Sequence, residues 1–172
     1  MSEIALKLVR AIDKKHYDKN IQKIDFTKVK DFLPQNSKLS DEFFKILPHY
    51  EKVIGVNAFS NHSEFVGMNF FTKDWIKLAL ELSKSYPNFL FILLNFKDNS
   101  IQFNILQNSN LKVFINDESI ASLASITKKL DYLITIDTGN LHLADILQIP
   151  TLALIRKLAA YRFRGGVLRF FV

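Results

Sequence analysis

Apolar positions along the chain fall into two regimes. Up to about residue 50 they recur at helical spacing. Ile4, Leu8 and Ile12, with Ala5 and Val9, predict a first helix, after which a Lys-rich stretch with few apolar residues runs to Pro34. Ser40 ahead of Asp41 and Glu42, followed by Phe43, Phe44, Ile46 and Leu47, predicts a second short helix capped by Ser40 and ending near Pro48. From residue 52 the pattern changes to short runs rich in β-branched and aromatic residues: Val53 to Asn57, Phe89 to Leu94, Leu111 to Ile115, Tyr132 to Ile136 and Thr151 to Ile155. These runs are apolar on both faces, as the strands of a covered parallel sheet are. Helical patterns separate them at Thr72 to Tyr86 (Trp75, Ile76, Ala79, Leu80, Leu82), Ser100 to Gln107, Glu118 to Lys129 and Asn140 to Gln148.

Alternating strands and helices of this kind make successive βαβ units, whose right-handed crossovers build a doubly wound sheet. The expected fold class is therefore α/β: a Rossmann-like doubly wound parallel sheet of about five strands, with a helical N-terminal connector. Residues 1–50 form the connector, 51–155 the Rossmann-like domain and 156–172 a basic aromatic tail. Ligands of such sheets bind outside the carboxyl ends of the strands. The loops to search are 57–71, 95–99, 116–119, 137–141 and the segment after Ile155.

Composition narrows the function classes. The 172 residues, 48% apolar with 16 Phe, can bury a core but not two full domains. The absence of cysteine removes disulfides, thiolate metal sites and thiol nucleophiles together. The longest apolar run, Phe89 to Leu94, is far short of the roughly 20 residues a bilayer requires. Glu3, Lys7 and Arg10 interrupt the N-terminal segment, which lacks the apolar stretch of a secretion signal, so a cytoplasmic protein is expected. The net charge of +6 is concentrated in Arg156, Lys157, Arg162, Arg164 and Arg169. The body is nearly neutral, so no basic groove for nucleic acid is expected. The tail, with Phe163, Phe170 and Phe171, is a solvated end or, as a minor reading, a membrane-surface or nucleic-acid anchor.

The stretch from Tyr132 to Leu154 carries the most chemistry. Its strand delivers Asp137 to the sheet edge, Thr138 and Gly139 turn the chain, and the next helix opens with free N–H groups facing the same crevice. Gly139 permits either close approach of a ligand or a positive φ. A helix start of this kind suits an anion. His142, in the first turn, can donate to a phosphate oxygen. Asp137 repels phosphate, so its partners are sugar hydroxyls or a helix cap. On spacing alone, Asp137 and Thr138 serve equally well as caps.

Asp137-Thr138-Gly139-Asn140-Leu141-His142-Leu143-Ala144, closed by Ile149-Pro150-Thr151-Leu152-Ala153-Leu154, resembles the Asp-Ser/Thr-Gly-x-x-His-Leu-Ala signature and following Pro-Thr strand of glycosyltransferase family 9, the ADP-heptose:lipopolysaccharide heptosyltransferases. The run from Asp117 to Ala124, Leu130-Asp131-Tyr132, Val53-Ile54-Gly55-Val56-Asn57 and Trp75 are similar to further elements of that family. The resemblance implies the carboxy-terminal, donor-binding half of a GT-B enzyme. Such an enzyme transfers a sugar from a nucleoside diphosphate sugar, ADP-heptose in the first instance, to a lipopolysaccharide core acceptor at the inner membrane surface. The resemblance further implies that Thr138, Gly139 and His142 hold the donor diphosphate and that Asp137 contacts the transferred sugar, with no cofactor and no metal. Other donor contacts are expected from Ser60 in the first loop, Asp98 near ribose hydroxyls and Glu118, with Ser119, at the base; the alternatives are a solvated loop for Ser60, a solvated turn for Asp98 and, beside Glu118, Asp117 as the cap of the next helix.

The sequence departs from the family in two places. Where members commonly place a phosphate-contacting Lys or Arg, this chain has Met68 or Asn69, and Ser60 and His62 are polar residues in the same loop. Residues 1–50 are too few for an amino-terminal Rossmann-like domain, so the catalytic base and the acceptor site are expected on a missing partner domain. The alternative is a truncated, non-catalytic nucleotide-sugar-binding remnant or regulatory module. His16 and His49 lack partners at a useful spacing and are expected at the surface; Trp75 is expected in the core.

Overall fold

A computed structural model of the chain describes residues 3–23, 28, 30, 31, 33, 34, 36–57, 72–96, 110–117, 119–136 and 138–154. Helices α1 (Glu3–Ile12) and α2 (Lys14–Asn20), a 3₁₀ turn (Ile21–Lys23) and α3 (Lys38–Lys45) precede the sheet. Then follow β1 (Lys52–Asn57), α4 (Thr72–Ser85), β2 (Phe89–Phe96), β3 (Leu111–Asn116), α5 (Ile120–Thr127), β4 (Tyr132–Ile136), α6 (Gly139–Leu147) and β5 (Thr151–Leu154). Every strand pairing is parallel, and the order across the sheet is β3-β2-β1-β4-β5. All five expected strands are present. The helix expected at Ser100 to Gln107 lies outside the described residues.

The strands are apolar on both faces because helices pack on both faces. Toward α4, Ile54, Val56, Phe91, Leu93, Leu111 and Ile136 pack with Ala79 and with Trp75, which is 1% exposed. Toward α5 and α6, Leu90, Ile92, Leu94, Phe114 and Leu133 pack against Ile126, Leu130 and Ala144. Gly55 lets this second layer close: a Cβ there would lie 2.5 Å from Leu130 Cδ1 and 3.1 Å from Leu133 Cδ1. Asp131, at the entry to β4, ties that strand to β1. Its carboxylate accepts from Val53 N (2.8 Å) and Lys52 Nζ (3.0 Å), and its amide donates to Val53 O (2.8 Å).

The N-terminal helices differ in what they bury. In α1, Leu8 and Ile12 are 63% and 86% exposed, so the periodic stripe that predicts this helix does not bury those two side chains. Arg10 meets Asp18 of α2 through Nε (2.8 Å) and Nη2 (3.1 Å). In contrast, α3 docks on the sheet layer around Leu94 and Phe114 through Leu39, Phe43, Phe44 and Leu47, with Phe43 edge-on to Phe114 at 5.4 Å. Ser40 is not the cap of α3. The Asn36 amide reaches Ser125 Oγ at 3.1 Å and fixes the entry of the chain, so the helix starts at Lys38. Ser40 therefore falls inside the first turn, buried, donating to Ser37 O at 2.9 Å.

Candidate functional site

The strand order reverses at β1: β2 and β3 extend to one side of it, β4 and β5 to the other. In a doubly wound sheet the two oppositely directed connections leave a crevice at such a switch point, outside the carboxyl ends of the strands. Here those ends are Asn57 of β1 and Thr135 to Ile136 of β4, with Asn57 in register beside Thr135. Only two residues separate β4 from α6, so the start of that helix stands directly over the switch point.

Thr138 is the N-cap of α6, with extended backbone (φ −144°, ψ 172°), yet its side chain makes no hydrogen bond to its own helix. Its hydroxyl instead accepts from Asn57 Nδ2 at 2.8 Å, and the same amide donates to Thr135 Oγ1 at 3.0 Å. Leu141 N turns back to Thr138 O (3.0 Å). Gly139 and Asn140, the first two helical residues, have no carbonyl a full turn behind them, and the partial positive charge of the helix start rests on their N–H groups. Among the described residues there is open space around Gly139: a Cβ would meet none of their atoms within 4 Å, its chain neighbours aside. Its φ lies outside the left-handed range, so close approach, not a positive φ, is the property this glycine supplies. His142 is exposed and lies three residues past Gly139 and four past Thr138, hence on the same helix face.

The neighbouring helix begins differently. Ser119 caps α5, its Oγ accepting from Ala121 N (3.2 Å) and Ser122 N (3.5 Å). Asp117 is not the cap; it braces the cap by accepting from Ser119 N (3.1 Å) and Ser122 Oγ (3.2 Å). This helix start is closed by its own side chains, whereas the N-cap side chain of α6, Thr138, leaves its helix start open.

Of the expected site residues, Thr138, Gly139 and His142 come together at the start of α6. Asp137, Ser60, Asp98 and Glu118 lie outside the described residues. His16 and His49 are both exposed, as expected. Among the described residues no group of three His, Cys, Asp or Glu is arranged to hold a metal ion. Sequence reasoning missed the asparagines at the carboxyl rim. Asn57 is 0% and Asn116 2% exposed, and the Oδ1 of each has no hydrogen-bond partner among the described residues. The available signal was that three of the apolar runs close on Asn57, Asn95 and Asn116. An apolar groove of about 240 Å³, lined in part by Tyr86, Phe89, Tyr132 and Leu152, lies at the opposite, amino-terminal rim and offers no polar anchor for a ligand.

The described elements have the Rossmann-like α/β arrangement found in GT-B glycosyltransferases. The chain superposes on ADP-heptose lipopolysaccharide heptosyltransferase II of E. coli with a TM-score of 0.59 and 16% identity, over 78% of this chain and 42% of that one. It superposes on a family 9 glycosyl transferase of Veillonella parvula DSM 2008 with a TM-score of 0.62 and 16% identity, over 80% of this chain and 41% of that one. The resemblance carried by the Asp137 to Leu154 block is thus met by a likeness of fold. This chain spans about two fifths of the length of each of these proteins. No family model and no curated protein sequence matches it.

Proposed function

We propose that the chain is the donor-binding half of a heptosyltransferase-like glycosyltransferase of GT-B type. Its ligand is a nucleoside diphosphate sugar, ADP-heptose in the first instance, and the sugar passes to a lipopolysaccharide core acceptor at the cytoplasmic surface of the inner membrane. The observation that carries this reading is the open start of α6 at the switch point, where the Gly139 and Asn140 amides, the Thr138 hydroxyl and the face bearing His142 converge.

The chemistry follows from charge. Glycosyl transfer breaks the bond between the anomeric carbon and the diphosphate oxygen, and negative charge grows on the departing nucleoside diphosphate. Fixed N–H dipoles at a helix start stabilise that charge more in the transition state than in the ground state. His142, when protonated, adds a charged donor. Asp137, next to Thr138 in sequence, accepts from hydroxyls of the transferred sugar; Ser60, Asp98 and Glu118 serve the rest of the donor from their loops. The base that activates the acceptor hydroxyl, and the acceptor site, belong to an amino-terminal partner domain. No described helix is long and apolar enough to cross a membrane.

Titration with ADP tests the reading. Binding in the micromolar to millimolar range is expected, weakened several-fold in His142→Ala; absence of binding at millimolar ADP, or binding indifferent to His142→Ala, refutes it. A second reading is a non-catalytic nucleotide-sugar-binding module of the same fold. Supplying an amino-terminal half in trans separates the two, since transfer restored by the mixture excludes the non-catalytic module.

A further inference from the structure

Asn57 combines full burial with an incomplete set of hydrogen bonds. Both protons of its amide are used, toward Thr135 Oγ1 (3.0 Å) and Thr138 Oγ1 (2.8 Å), while its Oδ1 has no partner among the described residues. The orientation of the amide is fixed by Thr135, whose own hydroxyl proton goes to Ile136 O (3.1 Å), so that a lone pair faces Asn57. Leaving a buried acceptor unmet works against folding, and an aliphatic residue of similar size would avoid it. Stability alone therefore gives a poor account of an asparagine here. Its effect on Thr138 gives a better one. By donating to the threonine hydroxyl, Asn57 draws it off the α6 amides, which a hydroxyl in that position would otherwise cap, as Ser119 caps α5. Having accepted from Asn57, the Thr138 hydroxyl keeps its own proton to donate.

We propose that Asn57 is a positioning residue for the anion site at α6: through Thr138 it keeps the first-turn amides uncapped and orients the hydroxyl as a further donor to the diphosphate. This role rests on the donor-site reading above. It assigns to the end of β1 a function that no donor contact of its own requires.

The test is a double-mutant cycle on the whole chain, with Asn57→Leu, Thr138→Val and the double variant, read by thermal unfolding and by calorimetric titration with ADP. Asn57→Leu is expected to unfold at the wild-type temperature or above it while binding ADP about tenfold more weakly. The double variant is expected to bind no more weakly than Thr138→Val, because Asn57 acts through that hydroxyl. In a Thr138→Ser background the Asn57→Leu loss should reappear. An Asn57→Leu protein that is strongly destabilised or fails to fold shows a structural amide and overturns the proposal, as does additivity of the two single losses. Wild-type protein that does not bind ADP overturns the donor site and this role together. Binding that survives Asn57→Leu unchanged overturns the positioning role alone and leaves the donor site standing.

Discussion

Replacing Gly139 with alanine separates the open helix start from the fold that carries it. Among the described residues the new methyl group touches nothing beyond its chain neighbours, since none of their heavy atoms lies within 4 Å of its position, and the backbone φ is one that alanine adopts freely. Alanine is favoured over glycine in a helix by about 0.5–1 kcal/mol, and the first turn receives at most that. For a chain of 172 residues this corresponds to a rise in Tm of roughly 2–4 °C or less. Binding should move the other way. The Cα–Cβ bond of a helical residue tilts toward the helix start, so the methyl stands in the approach to the Gly139 and Asn140 amides. An anion kept from close contact with those donors loses charge-assisted hydrogen bonds, and a tenfold weaker Kd for ADP, about 1.4 kcal/mol, is the minimum expected. Thermal unfolding and isothermal titration on the same preparation measure both quantities. Unchanged ADP affinity in a folded Gly139→Ala protein would mean that no phosphate sits against these amides, and a Tm lowered by more than a few degrees would mean that the space is not open.

Other substitutions probe the frame around the site. Gly55→Ala places its methyl against Leu130 and Leu133 and should destabilise by about 1–2 kcal/mol, with part of the loss recovered in Gly55→Ala/Leu130→Val, measured by urea unfolding. Ser119→Ala removes the cap of α5 and should cost about 1 kcal/mol in the same assay, without changing ADP affinity. Burial pushes the Asp131 carboxyl up, but the Val53 amide and the Lys52 ammonium outweigh it and hold the group below its usual range. A depressed carboxyl contributes stability that is present above its unfolded value of about 3.9 and is lost as pH falls through the folded value. Asp131→Asn should therefore lose about 1 kcal/mol at pH 7, since the pair is partly exposed and screened, and show a shallower loss of stability below pH 4.

The strands were legible because a parallel sheet covered on both faces leaves unbroken apolar runs, and Phe89 to Leu94 or Tyr132 to Ile136 have few other uses. The turn at Thr138 and Gly139 was legible for the complementary reason, polar and small residues placed between a strand and a helix. What local pattern could not supply was partnership across the chain. Asn57 and Thr138 are 81 positions apart, and an asparagine after an apolar run looks like an ordinary turn residue until β1 and β4 are placed side by side. Ser40 misleads for the same reason: the docking of Asn36 on Ser125, 89 positions away, sets where α3 begins. The exposed Leu8 and Ile12 mark the reverse case, a clear helical period with no covering surface for those side chains among the described elements.

The place of β1 in the middle of the sheet has a consequence for how the chain assembles. One of its flanks waits for β4, whose anchor to it, Val53 to Asp131, closes a separation of 78 residues. Closing so long a loop delays the rewarding contacts until late, which slows folding. During synthesis the strand that leaves the ribosome first among the five would thus wait longest between emerging and having both its edges occupied. Until then its backbone on that side is open to the wrong neighbour, and a chaperone that shields residues 52–57 should raise the yield of native protein more than one acting on any later strand.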